Sequence, residues 1–186
     1  MLKFITSNKN KFREIKELLK PIKVQQLNIE LDEIQEIDPK KIIEHKLKEA
    51  FKHHKGPFII EDSSFALEAM GGKLPGPFVK YFSIYLGSKN LAKLAIASKK
   101  QKAVGSVIIA YAKNLKEFVF FSGKVKGKVV LPMGKHGFGY DPIFMPNGSN
   151  KTLGEMKKSN NFSKSPRALS VKKLKNYLLK QTNEAR

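Results

Sequence analysis

The sequence contains no cysteine and no tryptophan, and only 16 of its 186 residues are acidic. Without cysteine, disulfide bonds and thiolate metal sites are excluded. Its apolar runs are far shorter than the ~18 residues of a membrane-spanning helix, and the N-terminal run is too short for a signal peptide. These absences predict a cytoplasmic protein. The apolar share of 41% is enough for an ordinary hydrophobic core.

Basic residues dominate the charge of the chain, because 36 lysines and arginines give it a formal net charge of +20. Such a field attracts nucleotides, nucleic acids and anionic surfaces. The lysines are scattered along the whole chain, however, which is typical of a solvated surface. Net charge alone therefore does not identify a binding partner, and binding to nucleic acid stays open.

Strand and helix patterns alternate along the chain, which predicts an α/β fold with a single domain over residues 1–186. Strand patterns occupy residues 2–6, 24–29, 58–60, 103–112, 117–121 and 127–130. Helical patterns occupy residues 11–19 and 91–97, and two further helices are expected to begin at Asp38-Pro39 and at Ser165-Pro166. In the last helix, Leu169 and Leu174 are expected to face inward. The strand-rich second half indicates a mixed sheet.

The stretch TSNKNK, residues 6–11, lies between the first predicted strand and helix. A helix N-terminus presents free backbone N–H groups and the positive end of the helix dipole, which suit an anion. Asn8 and Lys11 add an amide and an ammonium that suit phosphate oxygens. Two interpretations stay open: a phosphate site, or an Asn8 cap beside a solvated Lys11.

The stretch IIED, residues 59–62, places two carboxylates directly after a predicted core strand. At the carboxyl end of a strand, where α/β proteins form ligand sites, Glu61 and Asp62 suit Mg²⁺ binding or deprotonation of a water. The alternative is a helix cap or a salt bridge to lysine, with Ser63-Ser64 in a turn. Glu33, from an acidic loop, is a candidate ligand for the same metal.

The stretch GKHGFGYDPIF, residues 134–144, places glycines around two aromatic residues, Phe138 and Tyr140, ahead of Asp141. An aromatic face stacks on a nucleobase, and a carboxylate accepts hydrogen bonds from the base edge. The alternative is an apolar plug at a tight turn. His136 fits a turn residue better than a metal ligand.

Taken in this order, these stretches resemble the inosine triphosphate pyrophosphatase family. The resemblance covers nearly the whole chain and rests on TSNKNKFREI, LDEIQEI, IIEDSSFALEAMGGKLPGPFVKYF, GKHGFGYDPIF and KTLGEM. It implies an elongated mixed β-sheet flanked by helices, with two lobes and an active site in a central cleft. It also implies Mg²⁺-dependent hydrolysis of ITP, dITP and XTP to the monophosphate and pyrophosphate, and a homodimer.

The resemblance also implies roles for individual residues of this sequence. Asp62 would activate the attacking water and would bind Mg²⁺ together with Glu33 and Glu61. The residues implied in triphosphate binding are Thr6, Ser7, Asn8, Lys11 and Lys46. Those implied in nucleobase binding are Phe138, Gly139, Tyr140, Asp141, Ser163, Lys164 and Arg167.

One motif departs from the family pattern. Ser163, Lys164 and Ser165 stand where the family carries Ser-His-Arg, whose His and Arg donate hydrogen bonds to the 6-keto oxygen of the base. The loop before them is slightly shorter, and the family's phosphate-contacting lysine falls near Lys158 or Ser159. An ammonium is not equivalent to a guanidinium fork. Two alternatives follow: a family member with altered base specificity, or a basic nucleotide- or nucleic-acid-binding protein without turnover.

Overall fold

The structure is a computed structural model that describes residues 1–134, 136–157 and 164–184. Its strands are β1 (Leu2–Ile5), β2 (Val24–Leu27), β3 (Phe58–Leu67), β4 (Pro75–Gly76), β5 (Lys102–Ala112), β6 (Phe118–Val129) and β7 (Phe144–Pro146). Its α-helices are α1 (Lys9–Leu18), α2 (Pro39–His53), α3 (Val79–Tyr81), α4 (Ser88–Ala97), α5 (Leu153–Lys157) and α6 (Pro166–Glu184). A π-helical turn, Phe82–Leu86, follows α3, and short 3₁₀ turns span Glu68–Met70 and Asp141–Ile143.

The seven strands form one mixed sheet in the order β2-β1-β3-β5-β6-β7, with β4 paired to β3. Strand β1 is parallel to both β2 and β3. Strand β4 is antiparallel to β3, and β7 is antiparallel to β6. Helices α1 and α2 connect the parallel strands, as crossover connections require. The predicted fold class, a mixed α/β sheet flanked by helices, is therefore confirmed.

The chain forms two compact units. Unit 1 contains Met1–Asp62, Val107–Gly123 and Arg167–Arg186, and unit 2 contains Ser63–Ser106 and Lys124–Pro166. Strands β3, β5 and β6 each contribute residues to both units. The cleft that the resemblance implies stays a prediction.

In unit 1, neighbouring residues of the central strands point to opposite faces of the sheet, because side chains alternate along a strand. Phe4 of β1 and Ile59 of β3 pack in one buried cluster with residues of α1 and α6. Their neighbours Ile5 and Ile60 pack in another buried cluster with residues of α2. One face of this part of the sheet is thus covered by α1 and α6, and the other by α2.

Unit 2 has a core of its own, in which the second half of β3 packs with α4, β6, β7 and α5. Its fully buried members include Phe65, Ala92, Ala95, Val129 and Phe144. Phe65 lies edge-on to Phe144, with ring centroids 5.3 Å apart.

Strand β3 is longer than the sequence predicts. The strand continues to Leu67, so the expectation that it ends before Glu61, with a turn at Ser63-Ser64, is wrong. Phe65 and Leu67 are fully buried, and Ser64 is 6% exposed, so the strand remains in the interior beyond the two acids. Glu61 and Asp62 therefore lie in the middle of a buried strand and not at its carboxyl end.

Two smaller expectations are also wrong. Residues 127–130 do not form a separate strand, because Gly127 belongs to the end of β6. Leu169 of α6 is 36% exposed, whereas its neighbour Ser170 is fully buried. The hydroxyl of Ser170 donates to the carbonyl of Phe121 at 2.7 Å, so a polar residue occupies an inward position by satisfying its hydrogen bond.

The helix starts follow the capping signals of the sequence. Asp38 caps α2 by accepting from the amide of Lys40 at 2.9 Å, and Pro39 takes the first helical position.

Among the described residues, no helix has the length and apolar character needed to cross a membrane.

Candidate active site

Strand β3 carries the two acids of unit 1 on opposite faces. Glu61 shares the face of Ile59, which is covered by α1 and α6, and Asp62 shares the face of Ile60, which is covered by α2. Both residues are buried, with Glu61 3% and Asp62 6% exposed. Their partners accordingly come from different helices.

On the face of α2, one lysine joins two carboxylates. The Lys46 ammonium donates to Glu33 Oε1 at 2.9 Å and to Asp62 Oδ1 at 3.4 Å. It also donates to the backbone carbonyl of Glu61 at 3.2 Å. Asp62 Oδ2 is buried and has no hydrogen-bond partner in the part of the chain that the structure describes. An unsatisfied carboxylate oxygen in the interior is costly, and it marks a place where water or a cation is favoured.

Burial and neighbouring charges shift the pKa values of Asp62 and Lys46. Burial raises the pKa of Asp62, and the charges of Lys46 and Lys11 offset this only in part. Burial by itself would lower the pKa of Lys46, but Asp62 and Glu33 outweigh that effect and raise it. Asp62 is thus a stronger base than an ordinary aspartate, held beside a lysine that keeps its charge.

On the face of α1 and α6, Glu61 is held by two cations. Arg167 donates from Nε to Glu61 Oε2 at 2.7 Å and from Nη2 to Oε1 at 2.9 Å, which is a bidentate pair. Lys11 lies 3.2 Å from Glu61 Oε1. Arg167 Nη1 also donates to Glu14, a buried residue of α1. Burial alone would raise the pKa of Glu61, but Arg167 and Lys11 outweigh it and lower this pKa to about 2.

The N-terminus of α1 brings the TSNKNK residues next to Glu61. Asn8 caps the helix, accepting at Oδ1 from the amides of Asn10 at 3.0 Å and Lys11 at 3.1 Å. The hydroxyl of Thr6 accepts from the Asn8 amide at 3.1 Å. Asn8 and Ser7 are exposed, and Lys11 is half-buried. The cap interpretation of Asn8 is confirmed, and the Lys11 ammonium contacts Glu61 instead of lying free in solvent.

In unit 2, Asp141 fixes the glycine-rich loop. Its Oδ2 accepts from the backbone amide of Phe138 at 2.8 Å and from the Lys157 ammonium at 2.8 Å. Lys157 also lies over the Phe138 ring, 4.9 Å from its centroid. Gly137 permits this arrangement, because it has a φ of +88° and a Cβ there would come within 2.6 Å of Asp141 Oδ2. We call Phe138, Asp141 and Lys157 the loop clamp.

The remaining residues expected to bind the nucleobase are spread over both units. Tyr140 stacks on Phe65 with ring centroids 4.2 Å apart, so its ring packs against the core of unit 2. Lys164 is exposed and lies 3.5 Å from the carbonyl of Gly148. Arg167 belongs to unit 1 and is held by its two glutamates. Ser163, and also Lys158 and Ser159, lie outside the described residues.

A family model decides what kind of protein carries this arrangement. The model described as the Ham1 family matches residues 2–177. The chain belongs to the Ham1 family.

Curated relatives and solved structures agree with the Ham1 assignment. Inosine triphosphate pyrophosphatase of Schizosaccharomyces pombe is 35% identical over 182 residues, covering 97% of this chain and 96% of the relative. dITP/XTP pyrophosphatase of Thermococcus kodakarensis is 33% identical over 180 residues, covering 95% of this chain and 96% of the relative. The solved Staphylococcus aureus Ham1 protein matches with a TM-score of 0.77 at 21% identity, covering 96% of this chain and 99% of that one. This structural likeness supports the Ham1 fold.

The carboxylates of unit 1 in this Ham1 protein form a partial site for a divalent cation. In the described residues, no group of three acidic or histidine side chains forms a complete metal cage. Mg²⁺, however, commonly takes only one or two carboxylates together with substrate phosphates. Asp62 and Glu33, which share the Lys46 ammonium, meet that requirement. Glu61 fits less well, because both of its oxygens already accept from Arg167.

Sequence reasoning missed two residues of these clusters. Glu14 lies three residues after Lys11 in α1, and this spacing, which places two side chains on one helix face, was a usable signal. Lys157 gave no signal, because one lysine in a lysine-rich chain does not stand out. Only the fold shows that it is buried against Asp141.

Proposed function

We propose that this chain hydrolyses non-standard purine nucleoside triphosphates, namely ITP, dITP and XTP, to the nucleoside monophosphate and pyrophosphate. Its curated relatives carry the names of inosine triphosphate and dITP/XTP pyrophosphatases. The observation that carries the proposal is Asp62, a buried carboxylate with one oxygen joined to Lys46 and the other without a partner among the described residues. A cytoplasmic location remains part of the proposal.

In the proposed reaction Asp62 is the general base. Its Oδ2 accepts a proton from a water whose oxygen attacks the α-phosphorus. A new oxygen–phosphorus bond forms, and the bond from the α-phosphorus to the bridging oxygen of the β-phosphate breaks. The products are the nucleoside monophosphate and pyrophosphate, which carries away the electron pair of the broken bond.

Cationic groups of unit 1 bind the triphosphate in this proposal. Lys11, Lys46 and the N-terminus of α1 contribute positive charge to the phosphate oxygens, with Thr6, Ser7 and Asn8 supplying polar groups around them. Glu33 and Asp62 would hold Mg²⁺, which when bound neutralises charge on the leaving pyrophosphate. Arg167 and Lys11 hold Glu61 in its ionised form, so its charge stays fixed while Asp62 exchanges a proton.

The nucleobase part of the proposal rests on unit 2. Phe138 is proposed to stack on the base, and the loop clamp keeps its backbone and ring in place through Asp141 and Lys157. Gly139, Tyr140, Ser163 and Lys164 remain proposed contributors from the family resemblance.

One experiment tests the activity. The protein is incubated with Mg²⁺ and, separately, with ITP, XTP, dUTP, ATP or GTP, and the products are identified. We expect pyrophosphate and monophosphate, with ITP or XTP preferred. Release of orthophosphate, or no turnover of any nucleotide, would contradict the proposal. A Glu117→Gln variant, altered at an exposed turn, is the control for an unrelated loss of charge.

A shifted base preference is the second candidate, and the position of Arg167 favours it. Its guanidinium is held by Glu61 and Glu14 in unit 1, while Lys164 is an exposed ammonium. A keto oxygen would then lack the paired donors that the family supplies at this motif. In the same nucleotide panel, dUTP or a standard purine nucleotide turned over faster than ITP would support this candidate.

We also propose that the protein is a homodimer. The segment of residues 81–86 contains no charged residue in a chain of +20, yet Tyr81, Ile84 and Tyr85 are 51%, 63% and 84% exposed. A contact between two copies through this segment would bury its apolar surface. A second copy of the chain is thus the occupant we propose for it.

The oligomeric state is measured by analytical ultracentrifugation. Wild type is expected to sediment as a dimer, and Tyr85→Lys as a monomer. The control is Leu115→Lys, which places the same charge at a residue that is 54% exposed elsewhere. A monomeric wild type, or a Tyr85→Lys dimer as tight as wild type, would contradict the homodimer.

A further inference from the structure

Lys46 occupies an oxygen shell of the kind that binds a metal ion. Its ammonium has Glu33 Oε1 at 2.9 Å, the Glu61 carbonyl at 3.2 Å and Asp62 Oδ1 at 3.4 Å. An ammonium has three N–H donors and no acceptor, so three oxygen partners match its chemistry. Carboxylates and backbone carbonyls are also the oxygen ligands that hard divalent cations take. The same oxygens therefore serve either cation.

The lysine is well placed to hold this position. Lys46 is 6% exposed and projects from the middle of α2, whose neighbouring residues Ile43, Leu47 and Ala50 are buried in the core. Asp62 belongs to β3, a central strand whose residues are mostly buried. Glu33 differs from Lys46 and Asp62, because its side chain is 44% exposed and it reaches the ammonium from the solvent side.

We infer that Lys46 competes with the divalent cation for Glu33 and Asp62, and releases them when its ammonium moves to the triphosphate. This inference rests on the proposed function, because it requires a ligand with phosphate groups. Lys46 is then a positioning residue that makes the protein take up metal together with nucleotide.

Electrostatic repulsion explains why metal and nucleotide are expected to bind together. With Lys46 in place, a metal ion that approaches Glu33 and Asp62 meets an ammonium of like sign in a buried site, where repulsion is strong. A triphosphate supplies new oxygens and negative charge, so that the ammonium and the metal ion each gain partners. Binding of metal and binding of nucleotide are therefore coupled, and by thermodynamic linkage each tightens the other.

The test uses Mn²⁺ alone, followed by paramagnetic resonance or calorimetry, with no nucleotide present. We expect wild type to bind Mn²⁺ weakly and Lys46→Met to bind it about tenfold more tightly or better, because that variant leaves buried carboxylates without a counter-charge. Separately, with inorganic triphosphate and no metal, Lys46→Met is expected to bind more weakly than wild type. Tighter Mn²⁺ binding together with weaker triphosphate binding, both caused by one substitution, would indicate that Lys46 exchanges between the carboxylates and the phosphates.

Two further variants sharpen the result. Lys46→Gln keeps a donor for the carboxylates but no charge, and we expect a smaller gain in Mn²⁺ affinity than for Lys46→Met. Lys48→Met removes an exposed lysine from the same helix and is expected to leave Mn²⁺ affinity unchanged. Unchanged or weaker Mn²⁺ binding by folded Lys46→Met or Lys46→Gln would overturn the inference. The Mn²⁺ titration contains no nucleotide, so its outcome is separate from the ITP assay that tests the proposed function.

Discussion

Glu61 and Asp62 are neighbours in β3, yet their carboxylates lie on opposite faces of the sheet and have different partners. Arg167 and Lys11 hold Glu61, which has a pKa of about 2, whereas Lys46 holds one oxygen of Asp62, whose pKa is raised. Two adjacent acids with pKa values displaced in opposite directions are suited to different tasks. One keeps a fixed charge, and the other is able to exchange a proton.

Asp62→Asn tests the proposed base. Asparagine keeps the size of the side chain but accepts no proton, so we expect kcat for ITP to fall by roughly 10²–10⁴-fold. Binding of the nucleotide in the absence of metal is expected to be retained, because Lys11 and Lys46 are unchanged. Steady-state kinetics and calorimetry measure the two effects. Comparable turnover by variant and wild type would remove Asp62 from this role.

Arg167→Met tests the buried pairing on the other face. The substitution removes the buried guanidinium that pairs with both Glu61 and Glu14, so we expect a loss of about 3–5 kcal/mol in the free energy of unfolding. Chemical denaturation measures it, with exposed Lys172→Met as a control that changes stability by less than about 0.5 kcal/mol. A cost for Arg167→Met as small as that of the control would show that the pairing contributes little.

The ionisation of Glu61 predicts a pH dependence of stability. Folding lowers its pKa from 4.5 to about 2, so ionised Glu61 contributes stability that is fully present above pH 4.5 and is lost as the pH falls toward 2. The difference in melting temperature between wild type and Glu61→Gln should be large near neutral pH and should shrink below pH 4.5. A difference that stays constant down to about pH 3 would contradict this pKa.

The loop clamp predicts an effect on substrate binding. Asp141→Ala removes the acceptor for the Phe138 amide and for Lys157, so we expect KM for ITP to rise severalfold while kcat changes less. Asp141→Asn keeps one acceptor oxygen and should restore part of the loss. The exposed Lys151→Met serves as the control for a nearby change of charge. If Asp141→Ala lowers kcat and leaves KM unchanged, the clamp does not position a binding residue.

The sequence predicted the elements of this fold well because their signals are local. Asp38 with Pro39 marks the start of α2, and the apolar runs of β1 and β3 mark buried strands. The end of β3 could not be predicted in the same way. Glu61 and Asp62 interrupt an apolar pattern, and the cations that make their burial tolerable come from other parts of the chain.

The same distinction between local and long-range signals holds for the candidate site. Lys11 and Asp62 were recognisable from short motifs, but the distribution of partners between the two faces depends on pairing across long sequence separations. Lys157 is a clear case, since its burial beside Asp141 follows from the packing of α5 and not from any property of its own segment.

The position of Arg167 late in the sequence has a consequence for folding during synthesis. It lies 106 residues after Glu61 and 153 after Glu14, so both acids leave the ribosome long before the guanidinium that neutralises them. A nascent chain that lacks residue 167 lacks the ion pairs of Arg167 with Glu61 and Glu14, so closing β3 into the interior is costly. Completion of this charged core is therefore deferred until the last helix emerges, and incomplete chains are not expected to assemble a working centre.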